Sequence, residues 1–127
     1  AAGDKDALVS LSREPLISTV ELTGEGREGN VRMLPLDRLL SDLDKVTFIK
    51  ADIEGGEMRM LQGASNIIRR FYPKLAITCY HEANDYREMI SFVQGLVPEY
   101  RYMLRGITHF HGKPLLIRFW VPEKTEA

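Results

Sequence analysis

The sequence predicts an α/β fold built on a parallel sheet, and three observations carry the prediction. Two short runs, residues 46–49 and 75–80, are almost wholly apolar and rich in β-branched side chains, as strands covered on both faces are. Each is followed by a stretch with helical periodicity. Strands alternating with helices pack as a parallel sheet with crossover connections.

The elements follow in order. Residues 1–6 are small and polar and read as a loop. Residues 8–12 alternate loosely and read as a strand. A second β-like run spans 16–22, with Ile17, Val20 and Leu22 as its apolar members. Gly24, Gly26 and Gly29 punctuate a turn-rich stretch before a further strand at 31–34, which Pro35 ends. Asp37 is placed to cap a short helix running to Leu43. After the strand at 46–49, Met58, Leu61, Ala64, Ile68 and Phe71 recur at spacings of three and four, predicting one amphipathic helix that Pro73 closes. A second helix is expected over 85–96. Two further strands, 100–104 and 115–121, flank a loop with Gly106, His109, His111 and Gly112, so the sheet should finish with an antiparallel hairpin. The domain is expected to occupy residues 1–121, with a polar tail at 122–127.

Composition excludes several function classes. The chain has 127 residues, of which 44% are hydrophobic and 28% charged, which suits one soluble domain. The net charge of −1 argues against binding nucleic acid through bulk positive charge. No apolar run approaches the ~20 residues of a membrane span. The single cysteine, Cys79, lies in an apolar strand and reads as an inert buried thiol; a cytoplasmic location is expected. The chain begins with Ala1 rather than Met, and is read as processed or as part of a longer protein.

Gly24, Gly26 and Gly29 match the spacing of a dinucleotide loop, but a strand rather than a helix follows them, and Glu25 and Glu28 would repel phosphate. A hairpin loop is the better reading. The segment 50–57 is more informative. It lies just past the carboxyl end of a buried strand, where open α/β sheets bind ligands. Asp52 and Glu54 share a side if the strand stays extended, while Gly55 and Gly56 permit a sharp turn. One or both carboxylates could instead simply cap the following helix. His81 and Glu82 follow the next strand, so neighbouring strands would put an imidazole beside the carboxylates, the make-up of an acid/base site. His109 and His111 have the spacing of a metal pair, but no further metal signature accompanies them, and no metal site is expected.

Four pieces occurring in order resemble the FkbM family of S-adenosylmethionine-dependent methyltransferases. They are Leu36-Asp37-Arg38-Leu39-Leu40, then 48–57 from Phe48 through Lys50, Asp52, Glu54, Gly55, Gly56 and Glu57, then Leu61-Gln62-Gly63-Ala64, then Pro73 and its apolar strand. The segment from Ala2 to Asp6 resembles the turn after the family's third strand. Tyr80-His81-Glu82 and the stretch 100–105 resemble the tail of one family branch. The likeness implies a partial Rossmann-like, class I methyltransferase sheet. In a parent strand order of 3-2-1-4-5-7-6, this chain would supply the fourth to seventh strands, with extra β segments ahead of them. The acidic, glycine-rich cofactor loop of the family is absent, so the chain alone is expected to be inactive.

The resemblance also implies roles. Asp52 and Glu54 would lie beside the cofactor methyl and the acceptor, a hydroxyl of a small molecule or sugar. Either could take the hydroxyl proton directly or through His81. Lys50 would pair with one of them, Glu57 would cap or orient, and Asp52, Gly55 and Gly56 would touch the cofactor. Without its first strand, the strand at 46–49 would leave an apolar edge open. The chain should therefore self-associate, or cover that edge with its own N-terminal β segments. Two rival readings are a non-catalytic α/β binding module, and a metal-dependent hydrolase using Asp52, His81, His109 and His111.

Overall fold

The structure is a computed structural model, and it describes residues 1–11, 20–22, 31–81, 85–109 and 112–123. The glycine-rich loop, Glu82, His111 and the end of the tail lie outside the described residues.

Two sheets form. The N-terminal sheet holds β1 (Ala7–Leu11), β2 (Val20–Leu22) and β3 (Val31–Met33) in the order β2-β1-β3, with both pairings antiparallel. The larger sheet holds β4 (Phe48–Ala51), β5 (Lys74–Thr78), β6 (Arg101–Ile107) and β7 (Pro114–Trp120) in the order β4-β5-β7-β6. Strands β4 and β5 are parallel, and β7 runs antiparallel to both its neighbours. This is the fourth-fifth-seventh-sixth order that the resemblance implies, with the expected terminal hairpin.

Burial corrects one detail. Ile49 and Ala51 are buried, but Phe48 is 56% exposed and Lys50 is exposed, so β4 is covered on one face only among the described residues. The covered face packs Ile49, Leu75, Ile77, Ile117 and Phe119 against Leu61, Ile68, Met89 and Val93 of the helices. Each such fully buried side chain contributes about 1.5–3 kcal/mol of burial free energy. Tyr100 closes the far end: its hydroxyl donates to the Pro73 carbonyl at 2.7 Å, and its ring meets Phe119 edge-on.

The helix expected from Met58 to Phe71 is two helices, α2 (Glu57–Gln62) and α3 (Ser65–Phe71). The break has an identifiable cause. The Gly63 carbonyl accepts from the Asp37 amide at 2.8 Å, and the Asp37 carboxylate accepts from the Asn66 and Ile67 amides at 3.0 and 2.9 Å. Asp37 therefore caps α3 across space. It does not cap its own helix, α1 (Leu36–Leu39), which is shorter than the sequence suggests and follows Pro35 without a side-chain cap. A Cβ on Gly63 would come within 1.9 Å of the Gly3 carbonyl oxygen, so only glycine lets these segments touch. The last helix, α4 (Tyr86–Leu96), forms where expected and is capped by Asp85, which accepts from the Arg87 amide at 2.8 Å.

Among the described residues, the N-terminal β segments do not pair with the edge of β4. They form their own sheet, and among the described residues β4 pairs only with β5. Ala2 instead bridges to Leu34, which brings the N-terminus alongside α2.

Candidate active site at the ends of β4 and β5

Because β4 and β5 are parallel neighbours, the residues after them meet at one end of the sheet. Asp52 follows β4, and Tyr80 and His81 follow β5. The backbone does not stay extended after β4, as the side-sharing argument assumed. Glu54 adopts φ 54° and Gly55 φ 98°, both in the left-handed region. Glycine takes this at no steric cost; Glu54 pays for it. The tight turn brings Asp52, Glu54 and His81 together, with one ligand atom from each lying within 4.8 Å of the others.

Glu57 holds the turn closed. It is fully buried, and its carboxylate accepts from the Ile53 amide at 2.8 Å, the Gly55 amide at 3.0 Å and the Thr78 hydroxyl at 3.0 Å. The Thr78 hydroxyl also lies 3.2 Å from an Asp52 oxygen, so its one proton serves either carboxylate. Neither Asp52 nor Glu54 caps α2, whose first residue follows Gly56 with no side-chain cap. The bland alternative for these two carboxylates is therefore not realised. Gly56 has an ordinary φ of −86°, so only Gly55 is conformationally required here.

His81 sits between carboxylates. Its Nε2 lies 3.1 Å from Glu54 and its Nδ1 3.2 Å from Glu57, with the side chain only 11% exposed. Both nitrogens are buried, yet neither contact has the alignment of a hydrogen bond. Tyr80 stacks on the His81 ring at 4.1 Å. Its phenol is held above its usual pKa by desolvation first, then by the charges of Asp52, Glu54 and Glu57. Cys79 is buried as expected; burial, and secondarily the Glu57 charge, push its thiol up to about 11.

A cleft of about 790 Å3 opens beside these groups, lined by Asp52, Glu54, Gly55, Gly56, Arg59 and the N-terminal Ala1 among others. A second cavity, about 850 Å3, lies at the opposite end of the strands around Tyr100 and Tyr102, away from His81 and both carboxylates. Asp52 and Glu54 line the first cleft; the second has no such cluster among its lining residues.

Two expected participants stand apart. Lys50 is exposed on β4 and makes no ion pair with Asp52 or Glu54. His109 is exposed in the β6–β7 hairpin and is not part of the cluster. Conversely, the sequence reading gave no site role to Thr78 or Tyr80, and only a capping or orienting role to Glu57. Spacing predicts none of these contacts. The ordered pattern at 50–57 did mark Glu57, and Thr78 and Tyr80 precede His81 on β5's exit.

Comparison with known proteins agrees with this geometry. The profile of the methyltransferase FkbM domain matches residues 4–104. The crystal structure of methyltransferase FkbM from Methylobacillus flagellatus KT superposes with a TM-score of 0.63 at 28% identity. The match covers 94% of this chain but 27% of that one, so this chain spans about a quarter of its relative's length. No curated protein matches. Matched over most of its length and carrying the same ordered motifs, the chain belongs to the FkbM methyltransferase domain family.

Proposed function

We propose that this chain forms the acceptor-facing part of an S-adenosylmethionine-dependent O-methyltransferase site acting on a hydroxyl of a small molecule or sugar. One observation carries the reading. The carboxylates of Asp52 and Glu54 and the imidazole of His81 converge at the carboxyl ends of two parallel strands, beside a cleft. When bound, S-adenosylmethionine supplies a methyl group on a positively charged sulfur. The site fits that end of the cofactor: its carboxylates suit a cation, and the backbone at Gly55 and Gly56 lines the cleft.

The residues' own tasks follow from their positions. Asp52 is exposed and within reach of the Thr78 hydroxyl, which orients it while leaving it open to an acceptor. It takes the acceptor proton as the oxygen attacks. His81 lies between Glu54 and Glu57 and positions Glu54 at the edge of the cleft. Glu57 keeps the turn rigid, so that the reacting groups are held in alignment. Lys50 is left without a part, because it is exposed on β4 and pairs with neither carboxylate.

The chain alone is inactive on this reading, since the open edge of β4 is where the rest of the cofactor site would join. A cytoplasmic enzyme with one buried, reduced thiol fits the same reading. In protein expressed from the full reading frame, Asp52→Asn is expected to lower turnover by about 10²–10⁴-fold with an unchanged circular dichroism spectrum. Unchanged turnover would remove Asp52 from the mechanism.

A further inference from the structure

We propose that Asp52, Glu54 and His81 bind one divalent transition-metal cation, of the kind that a mixed carboxylate and imidazole set selects, such as Mn2+ or Zn2+. The separations suit a cation. One ligand atom from each residue lies within 4.8 Å of the others, against about 4 Å across a metal with bonds near 2.1 Å. A small side-chain movement brings all three into coordination.

His81 supplies the independent observation. Its ring nitrogens are buried, flanked by anions, and aligned with neither as hydrogen bonds. With Nε2 3.1 Å from Glu54, Nδ1 faces Glu57, which is itself fixed by two backbone amides and the Thr78 hydroxyl. A buried carboxylate beside the second nitrogen is placed to orient a metal-binding histidine once the ring turns into line with it. The local charge is negative as well: the carboxylates of Asp52, Glu54 and Glu57 gather around His81, and Arg59, which lines the cleft, pairs with Asp4 at 3.3 Å. Asp52 is exposed and the cleft is open, so a cation here would keep free positions.

The role of such a cation rests on the methyltransferase reading. Its open positions would take the acceptor hydroxyl and make that hydroxyl more acidic, easing proton loss to the carboxylates. Binding itself does not depend on that reading, so the two fail separately.

The test is titration of the metal-free chain with Mn2+ alone, followed by electron paramagnetic resonance, and with Zn2+ alone by calorimetry. One equivalent per chain is expected. Asp52→Asn and His81→Ala should each weaken binding at least tenfold, and Glu57→Gln about 10–100-fold. His109→Ala should leave it unchanged. Asp52 is a surface side chain, so that variant remains informative if His81→Ala fails to fold. Absence of a saturable single site overturns the proposal, as does binding that survives Asp52→Asn or is lost in His109→Ala.

Discussion

Glu57 does more for the site than its place at the start of a helix suggests. It is fully buried, closes the turn after β4 and backs His81. Glu57→Gln keeps one acceptor oxygen but loses the second, and is expected to cost about 1–3 kcal/mol of stability by chemical denaturation. Tyr100→Phe should cost a similar ~1–3 kcal/mol, because the Pro73 carbonyl is left buried without its donor. A third prediction concerns pH. The Cys79 thiol in the folded chain is pushed up to about 11, above its unfolded value near 9, and the Tyr100 phenol is shifted in the same direction by burial. The unfolded chain therefore releases these protons first as pH rises. Stability that is fully present below about pH 9 falls as pH climbs toward 11. Urea midpoints across that range should drop, and should drop less in Cys79→Ala. At this scale the sequence was partly readable. Asp52, Glu54 and His81 sit at strand ends that periodicity locates. Gly55 and Gly56 signal a turn, but not that Glu54 itself goes left-handed, and the contacts of Glu57 with Ile53, Gly55 and Thr78 rest on that conformation.

At the scale of elements, Asp37 and Gly63 explain why two separated motifs travel together. The Asp37 carboxylate caps α3, and the Gly63 carbonyl receives the Asp37 amide. Asp37→Ala is expected to cost about 1–2 kcal/mol, the usual loss for a capping side chain. Gly63→Ala drives a methyl into the Gly3 carbonyl and should cost about 1–3 kcal/mol through backbone displacement. Thermal melting of both variants checks this; wild-type stability in Gly63→Ala would mean that the N-terminal segment does not pack there. The periodicity over 57–71 was legible, but the break at Gly63 was not. It is made by groups 30 positions away in sequence, and a helical pattern runs through it unaltered.

For the whole molecule, the strand order β4-β5-β7-β6 follows from alternating strands and helices plus a terminal hairpin. What the pattern could not show is which face of β4 is covered. Phe48 and Lys50 face out on β4, which among the described residues pairs with β5 alone and leaves its other edge open. An edge of this kind recruits a strand. We expect the isolated chain to associate through it, with a concentration-dependent mass by sedimentation that Phe48→Lys reduces. A strictly monomeric chain would show that the edge is protected in some other way.

Asp52 and Glu54 border the cleft, with His81 against Glu54, and on the reading proposed above this cleft takes the cofactor. Calorimetric titration of S-adenosylmethionine into protein expressed from the full reading frame tests it most directly. The account predicts one saturable site with a dissociation constant in the range of about 1 μM to 1 mM, typical of enzyme substrates, weakened when Asp52 is changed to Asn. A folded protein that takes up no cofactor would contradict it, and would leave the domain as a binding module that keeps the fold without the reaction.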